Sequence, residues 1–175
     1  DTAWARINEN QVFSLMPRDI IITPLGSKLV GLLGGKGVYR ATKQNPTQWV
    51  PTVSSESFIN CIQRSNSGKM IAGTFGMYSS TDDGADWSYV FDAGQSVNAL
   101  SKDSSGKMWA GDNGYMYYSV DDFKTKTWLK DSLWWVGEIT HSKNKIFVGL
   151  NRLGQTGPIL YSSTDEGKTW VDSGI

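Results

Sequence analysis

The chain has 175 residues, enough to bury a core in one domain, and its 17 Lys and Arg balance 17 Asp and Glu. With no net charge there is no general field to hold nucleic acid or an anionic membrane surface, so a polyanion partner is not expected. The 19 Gly, 8 Trp and 7 Tyr suit short twisted strands and tight turns and argue against long amphipathic helices.

The chain opens on the polar DTAWARINEN, which does not read as a secretory signal. The longest nearly uncharged apolar run, Ile20 to Leu33, is broken by Pro24, Gly26, Ser27 and Lys28 and is too short to cross a bilayer, so the chain reads as soluble, without membrane insertion. Cys61 lies in the alternating FINCIQ and is expected to be a buried strand residue. As the one cysteine it excludes an internal disulfide and a cysteine-based zinc cluster.

One segment occurs four times: SKLVGLLGGKGVYR (27–40), GKMIAGTFGMYSS (68–80), GKMWAGDNGYMYYS (106–119) and NKIFVGLNRLGQTGPILYSS (144–163). Tyr39, Tyr78, Tyr117 and Tyr161 hold one column, and Trp49, Trp87, Trp128 and Trp170 follow at spacings of 38, 41 and 42 residues. Upstream of each unit lies a further apolar run: DIIITPL, SFINCIQ, SVNALSK and WVGEITH. Each repeat therefore predicts four short strands, with fourth strands at 49–53, 87–91, 128–130 and 170–172. The chain is expected to be a single all-β domain, 1–175, a β-propeller of four-stranded antiparallel blades with repeats of about 5–49, 50–87, 88–128 and 129–170.

Between the third and fourth strands of two repeats stand Ser80-x-Asp82-x-Gly84-x-x-Trp87 and Ser163-x-Asp165-x-Gly167-x-x-Trp170. SVDDFKTKTW keeps Ser119, Asp121 and Trp128, with Phe123 at the Gly position and two extra residues before the Trp. ATKQNPTQW keeps only Trp49, with Lys43 in the Asp position. The motif resembles the Asp-box, or BNR repeat, of sialidase-like and sortilin-like propellers. That resemblance implies a structural hairpin on the rim, away from any active centre. The residue chemistry agrees: Asp accepts amide hydrogen bonds of its own turn, Gly supplies a positive φ and Trp buries a large face. A calcium reading of Asp82, Asp83 and Asp86, or of Asp121 and Asp122, lacks the alternating acids and closing Glu of a calcium loop, so no metal is expected.

A site would then lie opposite the motif hairpins, on the loops after strand two (Gly34–Gly37, Thr74–Gly76, Asp112–Tyr115, Leu150–Pro158) and those leading into strand one (Glu9–Arg18, Ser54–Ser57, Asp92–Ser96, Asp131–Trp135). The candidates for ligand contact are Trp134, Trp135, Asn151, Arg152, Asp112, Asn113, Tyr115 and Glu56, since rings beside amide and guanidinium groups suit a sugar or a peptide. Trp135 also falls at the start of a first strand, which predicts a core position.

No catalytic set or cofactor is expected. A glycosidase needs two facing carboxyl groups, for which only Glu56 and Glu138 are placed near the axis. The sialidase resemblance implies three converging arginines and an RIP-like segment, whereas Arg6, Arg18, Arg40, Arg64 and Arg152 are scattered and RIP does not occur. His141, the one histidine, has no nucleophile motif beside it and reads as a surface or turn residue. GLLGGKG lacks the helix that would make a phosphate site.

The opening DTAW echoes the ends of the two good motifs, which makes Trp4 the start of a fifth fourth-type strand. The ring is then completed by residues 1–8, by a longer propeller, or by a second copy of the chain. The function expected is a non-catalytic recognition or assembly module for a glycan or protein, extracellular or virion-associated. The alternatives are a glycoside hydrolase fragment and a structural part of an extracellular or phage tail assembly.

Overall fold

The computed structural model describes residues 16–33, 37–52, 58–129, 135–151 and 159–174. Among these, sixteen strands form four antiparallel four-stranded sheets, each made of consecutive strands. Blade 1 holds β1 (Met16–Ile22), β2 (Lys28–Leu33), β3 (Val38–Ala41) and β4 (Val50–Pro51). Blade 2 holds β5 (Cys61–Arg64), β6 (Met70–Gly73), β7 (Gly76–Ser80) and β8 (Ser88–Asp92). Blade 3 holds β9 (Ala99–Lys102), β10 (Met108–Gly111), β11 (Met116–Ser119) and β12 (Thr127–Trp128). Blade 4 holds β13 (Val136–Ser142), β14 (Lys145–Leu150), β15 (Leu160–Ser163) and β16 (Val171–Asp172). The described residues contain no helix, hence none long and apolar enough to cross a membrane.

The hairpins follow from local chemistry. Gly26, Gly68 and Gly106 take φ of +86°, +94° and +89° in the turns that join the first and second strands of blades 1 to 3. The first strands β1, β5, β9 and β13 then lie side by side in that order, and the blades stack face to face. β6 and β10 are buried at every position because a sheet covers each face, which is why their sequences run apolar without alternation. Cys61 is buried as expected between blades 2 and 3, and burial pushes its thiol far up.

One contact recurs at all three junctions. Side chains of Ile59, Val97 and Val136, just before the first strand or at its start, occupy the space a Cβ would need at Gly31, Gly73 and Gly111 of the preceding blade. Their N–H groups donate to Leu32 O (3.1 Å), Thr74 O (2.7 Å) and Asp112 O (3.0 Å), the residues just after those glycines. At the same register in blade 1 stands Pro17, which has no N–H and is exposed. Three positions further, Ile62, Leu100 and Ile139 face the preceding blade at 4%, 7% and 2% exposure, whereas Ile20 is 60% exposed. Among the described residues, the two end blades do not stack on one another as the three internal pairs do. Of the closure routes, the one through residues 1–8 lies outside the described residues.

In blades 2, 3 and 4 the repeated motif closes the hairpin between the third and fourth strands from within. Ser80 Oγ donates to Asp82 Oδ1 (2.7 Å) and accepts from Gly84 N (2.9 Å), and Asp82 accepts from Asp86 N (3.0 Å). Ser119 and Asp121, and Ser163 and Asp165, repeat this with Phe123, Thr125, Gly167 and Thr169 as donors. The residue after each Asp reaches the blade behind it. Asp83 pairs with Arg40 (3.0 Å), Asp122 with Lys69 (3.5 Å) and Ser67 (2.7 Å), and Glu166 with Lys107 (3.1 Å). The motif thus ties blade to blade as well as closing its own turn, a role the sequence reading did not assign.

Three details correct that reading. Trp128 is not the motif tryptophan. It pairs with Tyr117 as Asp172 pairs with Tyr161 and Pro51 with Tyr39, two places beyond Trp170 and Trp49. Lys126 takes the Trp place with no insertion, its Nζ 3.4 Å from the centre of the Phe91 ring. Trp135 is 41% exposed and not in the core, because Val136 fills the knob position beside it and Trp135 itself turns at φ +49°. His141 is no surface turn residue; it lies half-buried in β13, with Nδ1 3.0 Å from Ser101 Oγ and its ring against Trp109.

These environments set an acid limit on stability. Hydrogen bonds from the Thr169 hydroxyl and N–H and from Ser163 hold the Asp165 carboxyl at about 2, and Thr125 and Ser119 hold Asp121 low in the same way. Burial lowers His141 from 6.5. Each of these three folded values lies below its unfolded one, so their contribution to stability is fully present above pH 6.5, falls first as His141 is forced to charge, and falls again below 3.8 as the aspartates protonate. A pH series of thermal midpoints checks this, and Asp165→Asn should flatten only the lower limb.

Candidate functional site: a polar pocket on the blade axis

The four first strands enclose a pocket of about 380 Å³. Its wall is Arg18, Asp19, Ile20 and Ile21 from blade 1, Asn60 to Gln63 from blade 2, Asn98 to Leu100 from blade 3, and Gly137 and Glu138 from blade 4. Strand pairing puts Asp19, Cys61, Ala99 and Glu138 at one level, each opposite a glycine of the second strand. A strand of period two sends alternate residues to the two blade faces, so the axis is lined by strand edges and by the polar residues at that level.

Asp19 is anchored through both oxygens: Oδ1 accepts from Ile20 N (2.8 Å) and Oδ2 from Ile62 N (2.7 Å). It is part of the junction between blades 1 and 2. Glu138 is an exposed side chain on the pocket wall, and partial desolvation there, with the Asp19 charge adding to it, raises its carboxyl above the usual range. Asn60 donates its amide to Ser96 Oγ (2.8 Å) and Val97 O (3.1 Å), and Asn98 donates to Asn113 Oδ1 (2.7 Å). These bonds fix the amides at the loop-side end of the pocket while leaving Asn60 Oδ1 as an acceptor.

The expected contact residues divide into groups. Asn113 joins the pocket rim through Asn98, and exposed Asn151 and Trp135 lie at the same end of blade 4, linked by Asn151 N to Trp135 O (2.9 Å). Asp112 is 0% exposed; its Oδ1 accepts from Gly114 N (2.8 Å) and Tyr115 N (2.7 Å), so it closes its own loop, and burial raises its carboxyl. Tyr115 is exposed at the outer edge, its ring edge-on to exposed Trp128 at 5.6 Å. Glu56, Trp134, Arg152 and Trp4 lie outside the described residues. Sequence reasoning missed Asp19, Asn60 and Asn98, whose only signal was a polar residue at the head of an apolar run. Among the described residues no three His, Cys, Asp or Glu side chains converge as a metal-binding set.

No family model and no curated protein matches the sequence. Solved structures do. A virginiamycin B lyase from Staphylococcus aureus matches at TM-score 0.68 and 15% identity over 94% of this chain and 57% of its own. The GH74 enzyme of Niastella koreensis matches at 0.61 and 22% over 91% and 24%. The extracellular domain of BT4673 from B. thetaiotaomicron matches at 0.63 and 20% over 77% and 20%. The chain thus spans between a fifth and three-fifths of these structures. It has the fold of a β-propeller arc, four blades of four antiparallel strands, and its structural neighbours are propeller proteins.

Proposed function

We propose that the chain is a non-catalytic recognition module of the Asp-box propeller type, acting outside the cell, with a hydroxyl-rich glycan as its ligand at the loop-side mouth of the axial pocket. The observation that carries this is the pocket wall, where Asn60, Asn98, Arg18 and Glu138 set donors and acceptors of both signs around one small space. Sugar hydroxyls donate and accept at once, which matches such a mixed wall better than a wall of one charge would. Trp135 and Asn151 at the same end add an apolar face and an amide. The extracellular neighbour supports the location, and no observation favours a virion.

The second reading, a glycoside hydrolase, is favoured by one feature, the raised carboxyl of Glu138 on the pocket wall, which is the direction a general acid needs. Against it, the neighbouring carboxylate, Asp19, accepts a backbone N–H on each oxygen and is anchored in the junction between blades 1 and 2, a structural use that accounts for it without catalysis. A glycan array separates the two. Binding without turnover, lost in Asn60→Ala and kept in Glu138→Gln, supports recognition. Turnover that Glu138→Gln abolishes would replace it, and binding of proteins with no glycan bound would move the reading to assembly.

A further inference from the structure

The outer face of blade 4, which no described residue covers, carries every element by which blades 1 to 3 receive the blade that follows them. The receiving face of each internal junction consists of a glycine, the carbonyl after it, two apolar side chains and a cationic side chain, Arg40 on β3 in blade 1 and Lys69 and Lys107 on the first hairpin in blades 2 and 3. The glycines are Gly31, Gly73 and Gly111, and their apolar neighbours are Leu29 and Val38, Ile71 and Met77, and Trp109 and Met116, all buried. In blade 4 the register gives Gly149, with Phe147 and Leu160 only half-buried. Among the described residues, a Cβ at Gly149 would meet nothing closer than Glu138 Cβ at 3.7 Å. Lys145 stands where Lys69 and Lys107 stand, but it is exposed and has no ion-pair partner among the described residues.

We propose that this face receives a further blade of the same repeat, one that brings three things: an apolar lead-in residue bearing an N–H for the Leu150 carbonyl, an apolar inner strand, and an acid after its motif Asp for Lys145. Blades 2, 3 and 4 each have the set, in Ile59 with Asp83, Val97 with Asp122, and Val136 with Glu166. Blade 1 does not. Its lead-in residue is Pro17, which has no N–H, and Gln44 stands at its acid position. The chain's own first blade, from the same molecule or a second copy, therefore lacks both polar parts of the junction despite exposed Ile20 and Ile22.

The test joins a second copy of residues 93–129, a blade with Val97 and Asp122, after residue 175 of the full chain and follows amide hydrogen exchange. Docking is expected to slow exchange in the added copy by about 100-fold. Gly149→Ala should cancel that slowing while leaving exchange in blades 2 and 3 unchanged, which shows that the parent chain is still folded. An added copy carrying Val97→Pro and Asp122→Gln should stay unprotected, and the unextended chain should sediment as a monomer. Protection of the Pro and Gln copy equal to the unaltered one, or no protection of either, overturns the proposal. So does dimerisation of the unextended chain that Ile20→Glu abolishes, because blade 1 would then suffice.

Discussion

Phe123→Ala is expected to lower unfolding stability by about 3–5 kcal/mol, the cost of emptying a large buried aromatic site. Phe123 fills the Gly place of the third motif at φ +63°, and its ring is buried between blades 2 and 3 against Phe91 and Tyr117, at centroid distances of 6.3 and 6.1 Å. Two effects oppose one another at this position. The left-handed conformation costs an L-residue roughly 1–2 kcal/mol, and burial of the ring outweighs it. Glycine removes the ring but also the strain, so Phe123→Gly should be about 1 kcal/mol less damaging than Phe123→Ala, the reverse of the usual order in a strand. Urea unfolding of the two variants decides it. If the glycine variant is the weaker, the ring is not held against a strained backbone.

The second large effect is positional. Gly111→Ala should cost about 1–3 kcal/mol, because the new methyl meets the side chain of Val136. Val136 cannot back away without stretching its N–H bond to Asp112 O at 3.0 Å. Gly149→Ala, the same substitution at the same register one blade later, should change stability by no more than about 0.5 kcal/mol. The space there is open, and alanine loses less freedom on folding than glycine. Equal costs at the two glycines would mean that blade 4 is already covered on its free face, which would also remove the basis for a docked blade.

The fold was legible because its signals are local and repeated. Period-two apolar runs, turn glycines and the tyrosine column each specify a hairpin, and four copies in phase specify four equal sheets. The motif turn was legible for the same reason, since Ser, Asp and Gly within five residues meet each other's backbone whatever lies around them. The third copy was misread by two residues because Trp128 drew the alignment, when the hydrogen bonds of Ser119 and Asp121 count to Lys126.

Contacts between blades were not legible, because they join residues far apart in sequence, 43 to 59 positions for the ion pairs and the Asp19 bond, through a face that no local pattern names. That Asp83, Asp122 and Glu166 bind Arg40, Lys69 and Lys107, and that Asp19 is spent on Ile62 N, depends on how one sheet sits on the next. The pocket has the same origin. Its wall draws a few residues from each of four strands, and only their arrangement about a common axis brings Glu138 near Asp19 and raises its carboxyl. The sequence by itself determined the strands, the turns and their number. The tertiary structure alone decided which side chains face a neighbour, which face the axis, and where the stack ends, because burial and desolvation are properties of the assembled sheets and not of any one segment.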